Sequence, residues 1–150
     1  MKWVELLKNV SQAAAIFDNF LRTVVRQGTA GALGCVQLVR TDNGPDFNCD
    51  KFQQVLRRHS ITHEPSPPDA SQQRGIVERG IGVLSAISRA SLFWAKAPLP
   101  FWGECVKKHA TPTSNNRPNK SNPNNMSPYR MANPGRPSQL DKLRTFGCLS

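Results

Sequence analysis

An α/β fold is what this sequence predicts, and three observations predict it. Residues 3–26 carry a helical apolar stripe. Residues 35–40 form a short apolar run with Val36, Leu38 and Val39, and that run gives way to the turn-forming Asp42, Asn43 and Gly44. In an open α/β sheet, a strand that ends in polar residues after a packed helix presents them at the edge where ligands bind.

The 150 residues suffice for one domain with a real core. The apolar fraction of 38% is low, and 12 prolines crowd the chain, so part of it is expected to pack poorly. Charge is uneven. Residues 1–75 carry nine Lys/Arg against seven Asp/Glu, a net of +2; residues 76–150 carry eleven against three, a net of +8. A basic half of that size favours a polyanion, nucleic acid first, over a merely soluble basic surface. Cys35, Cys49, Cys105 and Cys148 form no Cys-x-x-Cys pair, and no secretory signal opens the chain, so reduced thiols in an intracellular protein are expected. No apolar run approaches the roughly 18–20 residues that cross a bilayer, and no membrane partner is expected.

The elements follow in order. Trp3, Leu6, Leu7, Val10, Ala13, Ala14, Phe17, Phe20, Leu21 and Val24 recur at helical spacing, a stripe wide enough for a helix packed on a sheet. Gly28 and Gly31 end it. Residues 35–40 read as a buried strand delivering Asp42 to its end. Residues 48–59 read as a short helix with Phe52, Val55 and Leu56 inward and Arg57 and Arg58 near its end, where cations suit the dipole. Residues 60–64 make a strand before Pro65, Pro67 and Pro68. Asp69 or Ser71 then caps a helix on which Ile76, Val83, Ile87, Ala90 and Trp94 line one face, widened by Val77, Ile81 and Leu84. Gly80 and Gly82 weaken it by roughly 1 kcal/mol each relative to alanine. After Pro98 and Pro100 a further helix carries Phe101, Trp102, Cys105, Val106, His109 and Ala110, with Lys107 and Lys108 outward. Residues 111–139 turn to asparagine and proline and read as an extended basic arm. Residues 144–149 read as an opening strand.

Two carboxylates stand out, Asp42 at the strand end and Glu78 near the start of a helix, with 35 residues (43–77) between them. If the two ends meet, such oxygen donors suit magnesium or manganese and the in-line chemistry of phosphodiesters. The plainer reading is a turn aspartate and a glutamate favoured by its helix dipole. His59 and His63 have metal-like spacing but lack a cysteine pair, so zinc is not expected. No glycine-rich phosphate loop and no nucleophile with a base nearby is present, so no small-molecule substrate is expected.

Taken in order, Arg-Thr-Asp-Asn-Gly at 40–44, His-Ser-Ile-Thr-His-Glu at 59–64, the run from Ser66 to Arg79, Leu-Pro-Phe-Trp at 99–102, Asn-Arg-Pro at 116–118, Ser-Pro-Tyr at 127–129 and Phe-Gly-Cys at 146–148 are collinear with one family. The chain resembles the integrase of copia-type LTR retrotransposons over about residues 4–150. The resemblance implies an RNase H-like fold, a mixed five-stranded sheet flanked by helices. It also implies DNA integration by three acidic residues and two Mg2+ (or Mn2+) ions, DNA as partner, self-association and a nuclear location. Asp42 matches the second acidic residue and Glu78 the third. Gln73, Arg74 and Gly75 fall on the loop beside the site, Arg79 and Arg89 on basic positions of the next helix, and Lys107 and Lys108 are further candidates for nucleic-acid contact.

The departures shape the expectation. The family's first aspartate lies on a strand before the first helix, where this chain starts; Asp18 sits mid-helix and is a poor substitute. Arg74 stands where the family has Asn, and Gly80, Ile81 and Gly82 replace a basic, polar run. The expected organisation is a partial catalytic core at 1–116, a basic arm at 117–143 and the start of another domain at 144–150, truncated at both ends and inactive as this chain.

Overall fold

Two four-residue strands, Leu38–Thr41 (β1) and Thr62–Pro65 (β2), pair in parallel in the computed structural model, with Leu38 opposite Thr62 and Thr41 opposite Pro65. The structure describes residues 1–26, 36–42, 44–66 and 71–148, the side chains at 24–26 and 71–74 excepted. Gly28, Gly31, Gly34, Cys35, Asn43, Pro67, Pro68, Asp69 and Leu149, with the roles expected of them, lie outside the described residues, as do the side chains of Val24 and Ser71. The chain forms two compact units, Leu7–Gly75, and Met1–Leu6 together with Ile76–Ser150.

In the first unit, Ala13–Arg26 (α1) precedes β1, and Pro45–Asn48 (α2) and Asp50–Arg58 (α3) cross from β1 to β2. Parallel neighbours need such a crossover. The expected buried face of α3 forms: Phe52, Val55 and Leu56 are buried, and with Ala14, Leu21 and Ile61 they make the core. Phe17 stacks on Phe52 at 5.3 Å between ring centroids, and Phe47 meets Phe52 edge-on at 5.2 Å. β1 is a half-covered strand rather than a buried one: Val39 packs on the core while Leu38 and Arg40 face solvent. Arg40 Nε bonds its register partner Glu64 at 2.5 Å. Asp18 is fully committed within α1. Its carboxylate lies 2.7 Å from His59 Nε2, 2.8 Å from Arg22 and 3.4 Å from Arg58, and the His59 bond leads in holding its pKa down.

The expected helix over residues 3–26 starts ten residues late. Asn9 caps a 3-10 turn, Val10–Gln12, by accepting from the Ser11 N–H at 3.1 Å, and α1 follows. Residues 1–6 are held instead by the second unit. Asn115 acts as a peptide mimic, accepting from the Lys2 N–H at 2.8 Å and donating to the Lys2 carbonyl at 2.7 Å. Lys2 Nζ donates to Ser114 at 2.6 Å, and Leu6 sits on buried Gly103, where a β-carbon would come within 3.0 Å of it. A tertiary capture of backbone groups outweighs a helical stripe that leaves Trp3, Leu6, Leu7 and Val10 exposed.

The second unit is helical. Ser71–Trp94 (α4) runs unbroken through Gly80 and Gly82. Its buried line is Leu84, Ser88 and Leu92, of which only Leu84 belongs to the expected stripe: Ile76, Val77, Ile81, Val83 and Trp94 are exposed, Trp94 at 78%. Trp102–Glu104 (α5) passes into a π-helical turn, Cys105–Ala110, and then Thr111–Asn116 (α6). Pro112 explains the wide turn. It has no N–H to give the Lys108 carbonyl four residues back, and the Val106 carbonyl accepts both the Thr111 N–H and, at 2.8 Å, the Thr111 hydroxyl. The expected extended arm is largely folded. Ser127 caps Pro128–Ala132 (α7), and Asn116 Oδ1 accepts from the Gln139 N–H at 2.9 Å, so asparagine amides supply backbone partners where proline removes them. Residues 145–148 form a turn, with no strand at 144–148.

Phe52→Ala is expected to destabilise the chain by about 3–5 kcal/mol, read as a lowered urea midpoint. Asp18 has a lowered folded pKa, so its stabilisation is present above the ordinary carboxyl range and is lost as pH falls through the lower folded value. Urea midpoints from pH 7 to pH 3 are expected to fall less steeply in Asp18→Asn than in the parent, from a lower starting value.

Candidate metal and nucleic-acid site

Asp42 directly follows the last residue of β1, at the carboxyl end of a parallel strand. Its carboxylate is exposed and turns back on its own chain, Oδ1 accepting from the Gly44 N–H at 3.2 Å. Gly44 leaves room for that approach, since a β-carbon there would lie 3.0 Å from Asp42 Oδ1. Pro45 then opens α2 at a position where its missing N–H costs nothing.

Behind Asp42 stands a run of polar contacts. Ser66 N–H bonds the Thr41 carbonyl at 2.8 Å and closes the strand ladder. Thr41 Oγ1 donates to the Asp42 carbonyl at 2.9 Å and meets His63 Nε2 at 2.8 Å. His63 Nδ1 in turn meets Gln53 Nε2 at 2.9 Å, which also donates to the Phe47 carbonyl at 3.1 Å. Sequence reasoning weighed His63 only as a metal ligand and passed over Thr41 and Gln53. The available signal was strand alternation, which sets Thr41 and His63 on neighbouring strands.

Glu78 is exposed on α4, in the second unit, while Asp42 belongs to the first. Each carboxylate is a hard oxygen donor open to solvent, which suits magnesium in kind. Among the described residues no three His, Cys, Asp or Glu side chains gather as a metal cluster. Gln73 and Arg74 fall in the first turn of α4, with side chains outside the described residues. Arg79 and Arg89 are exposed on α4, and Arg89 borders a shallow cleft with Phe93, Lys96 and Leu99. Lys107 and Lys108 do not stand alone. Lys107 pairs with Glu5, and Lys108 lies 2.8 Å from Glu104, a hydrogen bond that raises the lysine's pKa and lowers the glutamate's. Such exposed pairs are weak and exchangeable for a phosphate. No described helix is long and apolar enough to cross a membrane.

No protein-family model matches the chain. A retrovirus-related Pol polyprotein from transposon TNT 1-94 of Nicotiana tabacum is 33% identical over 105 residues, which is 70% of this chain. The Pol-related polyprotein of mouse intracisternal A-particle MIA14 is 46% identical over 48 residues, 32% of this chain. The chain spans only 8% and 6% of those relatives' lengths. Among solved structures, the HTLV-2 integrase catalytic core domain, in complex with magnesium and in a trimeric form, matches with a TM-score of 0.62 at 22% identity. The match covers 87% of this chain and 75% of that one. That likeness shows the fold, RNase H-like as in retroviral integrase cores. In sequence the chain is similar to part of retrotransposon Pol polyproteins, and in fold to a retroviral integrase catalytic core.

Proposed function

We propose that this chain descends from a copia-type, metal-dependent DNA strand transferase and, by itself, binds DNA without joining it. The observation that carries the reading is Asp42, held against Gly44 at the end of a parallel strand within an integrase-core fold. Asp42 and Glu78 are the residues that would hold Mg2+ or Mn2+, which when bound supplies Lewis-acid activation of a phosphodiester. Asp18 does not join them, being engaged by His59, Arg22 and Arg58. Self-association and a nuclear location belong to the same proposal, the first supported by the trimeric form of the HTLV-2 core.

DNA binding rests on charge. The unit of Met1–Leu6 and Ile76–Ser150 holds twelve Lys/Arg against four Asp/Glu, a net of +8, and the other unit eight against six, a net of +2. Exposed Arg79, Arg89, Lys107 and Lys108 would hold phosphates and read little sequence.

Filter binding of duplex DNA is expected to weaken by at least about tenfold between 50 and 200 mM salt, and affinity indifferent to salt would remove the electrostatic basis. With Mg2+ or Mn2+ the purified chain is expected neither to nick nor to join DNA ends; nicking that Asp42→Asn abolishes would overturn the inactivity. Gly44→Ala crowds the Asp42 carboxylate and is expected to weaken Mn2+ binding several-fold in titration calorimetry, with far-UV circular dichroism unchanged.

A further inference from the structure

Asp42 lies one residue beyond the strand ladder, whose last bond, Ser66 N–H to the Thr41 carbonyl, fixes the peptide before it. The next carbonyl, that of Asp42, is held by the Thr41 hydroxyl. Which way that hydroxyl points is decided two residues further back. The Phe47 carbonyl sits at the end of α2, where helix carbonyls lack intrahelical partners, and it takes one N–H of the Gln53 amide at 3.1 Å. This sets the amide's orientation, because a flipped amide would face one carbonyl oxygen with another. The second N–H of Gln53 then points at His63 Nδ1, 2.9 Å away. A ring nitrogen that accepts carries no proton, so the tautomer this amide selects is the one with its proton on Nε2. Nε2–H donates to Thr41 Oγ1 at 2.8 Å, leaving the hydroxyl's own proton for the Asp42 carbonyl at 2.9 Å.

We propose that His63 is the positioning residue for Asp42: through Thr41 it locks the peptide from which the carboxylate projects, with Gln53 fixing its tautomer. The donors run one way, from Gln53 to His63 to Thr41 to Asp42, and each bond is between 2.8 and 2.9 Å. His63 is half-buried with its ring edge-on to Phe52 at 6.0 Å, so the core sets the plane of the imidazole that the polar run uses. Carboxylate orientation is then tied to the hydrophobic centre of its own unit. The functional weight of this arrangement rests on the reading of Asp42 as a metal ligand; the geometry does not.

Nuclear magnetic resonance on the full 150-residue chain tests it. Long-range proton–nitrogen correlations of the parent chain are expected to place the His63 proton on Nε2; a proton on Nδ1 would overturn the proposal and needs no variant. His63→Phe keeps a ring against Phe52 and removes both nitrogens. Loss of one such bond, at the upper end of its usual net contribution, corresponds to roughly tenfold, and the Gly44 amide, which reports the Asp42 carboxylate, is expected to exchange about that much faster. Amides of Val55 and Leu56 are expected to keep their parent rates. His63→Gln, which retains a donor and an acceptor, is expected to recover most of the Gly44 protection. Unchanged Gly44 exchange in His63→Phe, or an equal rise at Val55 and Leu56, would overturn the positioning role. Added Mn2+ addresses the other reading separately: if Asp42 and Gly44 signals survive Mn2+ in the parent chain, the metal assignment falls, while the tautomer and exchange results still decide the role of His63.

Discussion

Two parallel strands of four residues each make too few hydrogen bonds to persist as a pair in water, and no hairpin ties them together. They depend on burial of Phe52. From the first turn of α3 its ring meets Phe17 of α1, Phe47 of α2 and His63 of β2, so that one side chain gathers both crossover helices, the preceding helix and the second strand. At 2% exposure it yields about the full transfer energy of a phenylalanine, on the order of 2–3 kcal/mol, with aromatic pairing in addition. The strand ends, and so the position of Asp42, follow from this contact.

Local patterns were legible in the sequence where neighbours in sequence are also neighbours in space. The inward triad Phe52, Val55 and Leu56, the strand before Pro65 and the placing of Asp42 at a strand end are of this kind. The start of the N-terminal helix was not, because the backbone at Lys2 is held by Asn115, more than a hundred positions away. The buried face of α4 escaped for another reason. Its line of Leu84, Ser88 and Leu92 contains a serine, and counting apolar residues favours the exposed isoleucines and valines instead. The asparagine- and proline-rich stretch reads as disorder by composition, whereas buried Asn115, Asn116 and Asn133 use their amides as detached peptide groups.

The site divides in the same way. Asp42 and Glu78 are visible as residue types at a spacing, and collinear motifs give them a family. What the spacing cannot show is the surroundings of each. Gly44 looks like an ordinary turn residue, yet its missing β-carbon lets the carboxylate fold back. His63 looks like half of a metal pair with His59, yet the two imidazoles serve different carboxyl-bearing residues, His59 bonding Asp18 directly and His63 reaching Asp42 only through Thr41.

The bond between Lys2 and Asn115 spans 113 positions of sequence. A contact of that span sets an order of events during synthesis. The unit of residues 7–75 can gather around Phe52 as soon as β2 has emerged, since every partner of that ring is then available. Met1–Leu6 must wait until Asn115 and Gly103 follow, which is most of the chain later. Closing so long a loop is entropically dear but grows only slowly with its length. Residues 1–6 therefore find their seat after the contacts around Phe52 have formed, because Gly103 and Asn115 are made later than every partner of that ring.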